Sequence, residues 1–233
     1  MHCAHCLRGD ACNVDISSDY IERLLESANY INNITFTGGE PSLNVKAIED
    51  TLRICKEKSI PVNSFYVVTN GKKVTNRFIK ALTEWAMYCL ETDDEALEYC
   101  GVCVSKDKFH EKIDPINIQK LKTLSFFNED KTIDFSVVPL LSMGRAKDIK
   151  DPGVKCREAD RSPISIGRFD SHGIDGEDEN LHIESTVTLT STGNFIPDCD
   201  YAYEEESDLS IGSVTTDEDL KNLLQYLLEQ TEN

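Results

Sequence analysis

Residues 34–71 read ITFTGGEPSLNVKAIEDTLRICKEKSIPVNSFYVVTNG, and this stretch decides the fold. It opens on a short β-prone run, 34–37, which breaks at Gly38 and Gly39 and continues into Glu40, Pro41 and Ser42, so a strand ends there. Across 43–57, Ala47, Ile48, Thr51, Leu52 and Cys55 recur at the spacing of one helix face. A second apolar, β-branched run at 65–69 is stopped by Asn70 and Gly71. Strand, helix and strand in that order are the repeating unit of a parallel sheet with crossover helices.

The unit recurs downstream. Phe78, Ile79, Leu82 and Trp85 mark a helix, 101–105 a strand, Ile116, Leu121 and Leu124 a helix, and 133–139 a fourth strand ending at Pro139. Upstream, Ser17, Ser18 and Asp19 offer N-caps to a helix of about three turns carrying Ile21, Leu24, Leu25, Ala28 and Ile31. From 147 to 180 the periodicity gives way to Asp, Gly and Ser with Pro152 and Pro163, the pattern of a long excursion. Two β-like runs follow, 184–190 and 194–197, joined by Ser191, Thr192 and Gly193 as a hairpin. A closing helix capped by Thr216 or Asp217 presents Leu220, Leu223, Leu224, Leu227 and Leu228 on one face. The expected layout is a sheet-and-helix core over 1–146, with the long loop, hairpin and last helix of 147–233 completing or capping it.

The 233 residues suffice to bury a substantial core, and 39% are hydrophobic, so a folded domain is expected rather than disorder. No uncharged apolar run reaches bilayer-spanning length, which predicts no membrane insertion. A formal charge of −18 argues against sequence-independent nucleic-acid binding and against docking on anionic membrane, since both depend on Lys and Arg clusters. Nine cysteines, an odd number with no secretory signal before them, fit a reducing cytoplasm and point to metal or catalytic use of some.

The densest chemistry lies in residues 1–10, MHCAHCLRGD, where Cys3 and Cys6 have CxxC spacing. That spacing suits two ligands of one metal centre, half of a zinc site completed by His2 or His5, or a redox pair. In parallel α/β folds a ligand lies at the carboxyl ends of the strands, and here those ends carry Gly38, Gly39 and Glu40, then Thr69 and Asn70, then Ser105, Asp107 and His110. Glycines admit close backbone approach, Glu40 suits an ammonium group, and the hydroxyl and carboxylate after the third strand suit a ribose. Gly144 and Arg145, soon after Pro139, offer a partner for a carboxylate or phosphate. Cys100 and Cys103 also have CxxC spacing, but residues three apart on a strand face opposite ways, so a shared metal is not expected. Cys55 and Cys89 read as core, and His172 and His182 have no partner at ligand spacing.

Taken together, these residues make the chain resemble the radical S-adenosylmethionine (SAM) proteins over nearly its whole length. Cys3 and Cys6 match the last two cysteines of that family's CxxxCxxC loop, which holds three irons of a 4Fe-4S cluster. Gly38, Gly39, Glu40 and Pro41 match its GGEP motif, which holds the methionine amino group, and this is the most specific match. Thr69 and Asn70 match its third strand end, His5 falls at an aromatic position near the adenine, and Ser105 and Asp107 fall at ribose contacts. Met143, Gly144, Arg145 and Ala146 resemble the segment whose Arg meets the SAM carboxylate.

The resemblance implies a partial (β/α)6 barrel, a 4Fe-4S cluster and SAM as cofactors, and an electron donor such as flavodoxin or ferredoxin. It also implies a 5′-deoxyadenosyl radical that abstracts hydrogen from a substrate the sequence does not identify. One departure stands out. The family's first cysteine would fall two positions before Met1, with the first barrel strand ahead of it, and Cys12 has the wrong spacing to replace it. The expectation is therefore that the coding sequence continues upstream. The rival readings are a degenerate, cluster-free barrel that binds a nucleoside or a protein, and a zinc protein built on Cys3 and Cys6.

Overall fold

The structure, a computed structural model, describes residues 3–129, 132–161, 163–168 and 180–231. Helix α1 (Ser18–Leu25) starts where the Ser17 side chain accepts from the Asp19 amide, and it buries Ile21 and Leu25. It spans two turns; Ile31, expected at its end, instead opens strand β1 (Ile31–Phe36). Helix α2 (Val45–Lys58), strand β2 (Val62–Thr69), helix α3 (Asn76–Thr92) and strand β3 (Gly101–Val104) follow at the expected places. Helix α4 (Pro115–Leu121) then leads to the two-residue strand β4 (Phe127–Asn128).

These strands form one parallel sheet in the order β1-β2-β3-β4, with Ile34 opposite Phe65, Val67 opposite Val102, and Val102 opposite Phe127. The central strands are the apolar ones, since both faces of a parallel sheet are covered; all four residues of β3 are buried. The main core packs Phe65, Trp85, Phe78, Ile54 and Leu82 at 2% exposure or less between β2 and the helices. Its polar handles are satisfied. The Trp85 indole donates to the Ile48 carbonyl at 3.0 Å, and the Tyr88 hydroxyl donates to the Ile60 carbonyl at 2.8 Å.

Two expectations are corrected here. Residues 133–139 are not a strand: the Asp134 side chain accepts from the Ser136 amide and its carbonyl accepts from the Val137 and Val138 amides, which bends the chain into a turn with both valines exposed. An Asp inside a β-branched run offers the backbone this alternative. The fourth sheet position goes to β4 instead, and Pro139 ends no strand. The four-stranded sheet is also open, with β1 and β4 at its edges, so the barrel expected from the resemblance is not formed by the described residues.

The remaining chain builds smaller layers. Strand β5 (Leu140–Leu141) pairs parallel with β6 (Cys156–Arg157), and β7 (Ile166–Arg168) pairs antiparallel with β8 (Leu181–Ile183), both within or beside the stretch expected as an irregular excursion. The expected hairpin forms as β9 (Val187–Leu189) and β10 (Asn194–Pro197). After the short helix α5 (Glu206–Leu209), strand β11 (Gly212–Ser213) joins it on the other side. Helix α6 (Asp217–Gln230) begins at a capping box between Thr216 and Asp219 and buries Leu220, Leu223 and Leu227 against Phe195 and Val214. Arg23 of α1 donates to the Val214 carbonyl at 2.8 Å and pairs with Asp217 at 2.8 Å, tying this layer to the first helix.

Candidate functional site

The polar residues gather at the carboxyl end of the sheet in two corners. At the first corner, Gly38 has φ of +110°, a left-handed conformation natural to glycine, and turns the chain after β1. Glu40 then caps the 3-10 turn Pro41–Leu43. Its Oε1 accepts from the Ser42 amide at 3.2 Å, the Ser42 hydroxyl at 2.7 Å and the Thr69 hydroxyl at 2.5 Å. Its Oε2 accepts from the Asn70 amide at 2.8 Å. Thr69 and Asn70 are buried at the end of β2. A carboxylate has about four lone-pair sites, so three protein donors on one oxygen and one on the other leave capacity on Oε2 for an external cation. The Glu40 carboxylate is thus held at the carboxyl end of the sheet by donors from the turn after β1 and from the end of β2.

The second corner follows β3. Asp107 Oδ1 accepts from the Phe109 amide at 2.8 Å and the His110 amide at 3.1 Å, while Oδ2 meets His110 Nδ1 at 2.8 Å and His5 Nε2 at 3.4 Å. The His5 ring stacks on Phe109, with centroids 4.9 Å apart, and meets His110 edge-on at 4.7 Å. The Nδ1 atom of His5 is buried with no hydrogen-bond partner. Burial pushes His5 below the ordinary histidine range, which favours the neutral ring. Burial alone would raise Asp107, but the bonds from His110 and the Phe109 amide, with His5 close by, more than offset it and hold the carboxyl below its ordinary range. Ser105 sits between the corners, its amide donating to the Thr69 carbonyl at 2.9 Å.

The N-terminal loop is folded onto the second corner, onto Gly144 and Arg145 and onto Tyr201. The Cys6 amide donates to the Cys3 carbonyl at 3.2 Å, closing a turn, and the Arg145 amide donates to the Cys6 carbonyl at 2.9 Å. Gly144, at φ +53°, approaches so closely that a Cβ there would lie 2.3 Å from the Leu7 carbonyl oxygen; no other residue fits. Arg8 is buried. Its guanidinium lies 3.9 Å from the centre of the Tyr201 ring and donates to the Tyr201 carbonyl at 2.8 Å, pinning the loop to the C-terminal layer. Burial and the neighbouring Cys6 push the Cys3 thiol up, while Lys72 acts in the opposite sense and Asp107 adds to the rise. Cys3 thus lies within the electrostatic reach of Lys72 and Asp107, and a bound cation would reverse the penalty on its thiolate.

Most sequence-predicted site residues converge: Glu40 with Thr69 and Asn70, His5 with Asp107, and Cys6 with the Gly144–Arg145 backbone. The Arg145 side chain faces Asp10 at 3.7 Å. The CxxC-spaced Cys100 and Cys103 diverge as expected, Cys100 toward Cys89 and Cys103 toward the Tyr66 hydroxyl. His2 and His172 lie outside the described residues. Sequence reading missed the meeting of His110 with His5, whose separation of 105 positions leaves no local signal, and it missed Arg8, whose burial no periodicity announces.

Cys3 and Cys6 can furnish two corners of a 4Fe-4S cluster. A cluster with one open iron needs three thiolates, and among the described residues no third thiol acts on Cys3; Cys12 is engaged by the Tyr203 side chain. The cysteines present thus match a three-thiolate cluster only in part. No family model, curated protein or solved structure matches the chain. No helix among the described residues is long and apolar enough to cross a membrane.

Proposed function

We propose that the open end of the sheet binds S-adenosylmethionine in the manner of radical SAM proteins. The observation that carries this reading is the Glu40 carboxylate, anchored across two strand ends through Thr69 and Asn70. In this reading Oε2 of Glu40 receives the methionine ammonium, and Gly38 and Gly39 let the ligand approach the backbone. The nucleoside lies toward His5, Ser105 and Asp107, and Arg145 balances the carboxylate. Cys3 and Cys6 ligate two irons of a 4Fe-4S cluster, and none of the other described cysteines stands at the spacing of a third ligand.

A fully ligated cluster, reduced by a donor such as flavodoxin or ferredoxin, supplies the electron for SAM cleavage. The chain's own residues orient SAM and exclude water. A second reading, a cluster-free module that binds a nucleoside, is favoured by the same missing thiolate. Anaerobic reconstitution followed by counting iron and released 5′-deoxyadenosine separates them: about four irons per chain with 5′-deoxyadenosine production supports the enzyme. A fully loaded protein that releases none refutes it.

A further inference from the structure

We infer that, with no SAM bound, His5, Asp107 and His110 together bind one divalent transition-metal ion, at a site separate from any cluster on Cys3 and Cys6 that shares His5 and Asp107 with the proposed nucleoside site. The three ligand atoms all lie within 4.8 Å of one another. Around a tetrahedral zinc with ligands at about 2.0–2.1 Å, donor atoms stand roughly 3.3 Å apart. The observed 3.4 Å from His5 Nε2 to Asp107 Oδ2 meets that spacing, and the 2.8 Å from His110 Nδ1 to the same oxygen needs a shift of about 0.5 Å. Two imidazoles and one carboxylate are a donor set for zinc or iron(II) with a coordination position left open.

The surroundings are those of a held site. Asp107 Oδ1 is fixed by the amides of Phe109 and His110, so Oδ2 is the oxygen turned to both histidines. Such bonds to a ligating carboxylate are how proteins orient metal ligands. Phe109 and Phe135 wall the His5 ring, with centroids at 4.9 Å and 6.1 Å, and lower the local dielectric. A residue of the N-terminal loop and two residues of the loop after β3 supply the ligands, so the ion would also clamp that loop to the sheet end.

The test uses the full chain carrying Cys3→Ser and Cys6→Ser, which removes the two thiols of the CxxC pair. It is titrated anaerobically with Co2+ and then with Zn2+, with neither SAM nor iron present, so failure of the SAM reading leaves the result intact. The expected result is one Co2+ per chain with visible d–d bands, no thiolate-to-cobalt charge-transfer band, and displacement by Zn2+. His110→Asn keeps a side-chain donor toward Asp107 but removes the imidazole. On that background it should weaken binding by more than the ~10–100-fold typical of losing an outer-shell partner. Circular dichroism that matches the parent certifies its fold. Absence of stoichiometric binding in the Cys3→Ser, Cys6→Ser chain, or affinity unchanged by His110→Asn in a folded variant, overturns the inference.

Discussion

Two carboxylates stand beyond the ends of β1 and β3, the strands that flank β2 in the same sheet, and each accepts from a backbone amide of the turn that follows it, yet they face different company. Glu40 takes the Ser42 and Asn70 amides and two hydroxyls, and retains capacity on one oxygen. Asp107 takes the Phe109 and His110 amides and turns its second oxygen to two imidazoles. Strand position fixes where a carboxylate stands. The groups that reach it from distant parts of the chain set its surroundings: hydroxyls and an amide at Glu40, two imidazoles at Asp107. A third carboxylate, Glu206, supplies the contrast, because hydroxyls of Thr190 and Thr192 and the amide of Asn194 all converge on its Oε1 in the C-terminal layer.

The largest effect is expected at the backbone that holds the N-terminal loop in place. Gly144→Ala puts a methyl group into the Leu7 carbonyl and forces a left-handed conformation, so the N-terminal loop must leave the Cys6–Arg145 contact. Loss of about 2–4 kcal/mol in denaturant unfolding is expected, together with loss of ligand binding at the second corner. Intact stability would show that the loop is not docked as described.

Asp107→Ala comes next. Its side chain is 3% exposed, and its removal leaves two amides and two imidazoles without their acceptor, a cost of about 2–3 kcal/mol. Asp107→Ala should therefore destabilise more than Glu40→Ala, because it also releases the His5 imidazole of the N-terminal loop from the sheet end. Equal losses measured by chemical denaturation would erase the distinction between the corners.

The smallest effect belongs to the contrast carboxylate. Burial alone would raise Glu206, but the bonds from Thr192, Asn194 and Thr190 outweigh it and hold the group below its ordinary value of 4.5. A depressed folded value means that the charged form contributes stability above the unfolded value, lost as pH falls through the folded one. Glu206→Gln should cost about 1 kcal/mol near neutrality, with the gap to the parent closing below pH 4.5, and should leave SAM and Co2+ binding unchanged. A ligand-binding defect in Glu206→Gln would show that this carboxylate is more than structural.

The comparison also explains what was legible in sequence. The first corner was readable because its parts are local punctuation: a glycine pair and a Glu end one apolar run, and a Thr-Asn pair ends the next, with the helix between declared by Ile48, Leu52 and Cys55. The second corner was half readable. Asp107 and His110 stand three apart after β3, but the arrival of His5 depends on the Gly144 and Arg8 contacts, which are tertiary. The run at 133–139 misled because its β-branched residues suggest a strand while Asp134 turns the backbone. The barrel was an expectation of resemblance, and the described strands give an open sheet because β5 pairs with β6 and does not add to β4.

The central claim, that Glu40 is an ammonium acceptor at a SAM site, is tested most directly by calorimetric titration of SAM into the anaerobically reconstituted parent and Glu40→Gln. A charge-assisted bond worth about 1.5–3 kcal/mol predicts that the variant binds SAM roughly ten-fold or more weakly, with its iron content and its Co2+ binding unchanged. Equal SAM affinity in the two proteins, or no SAM binding by the parent, would contradict the account.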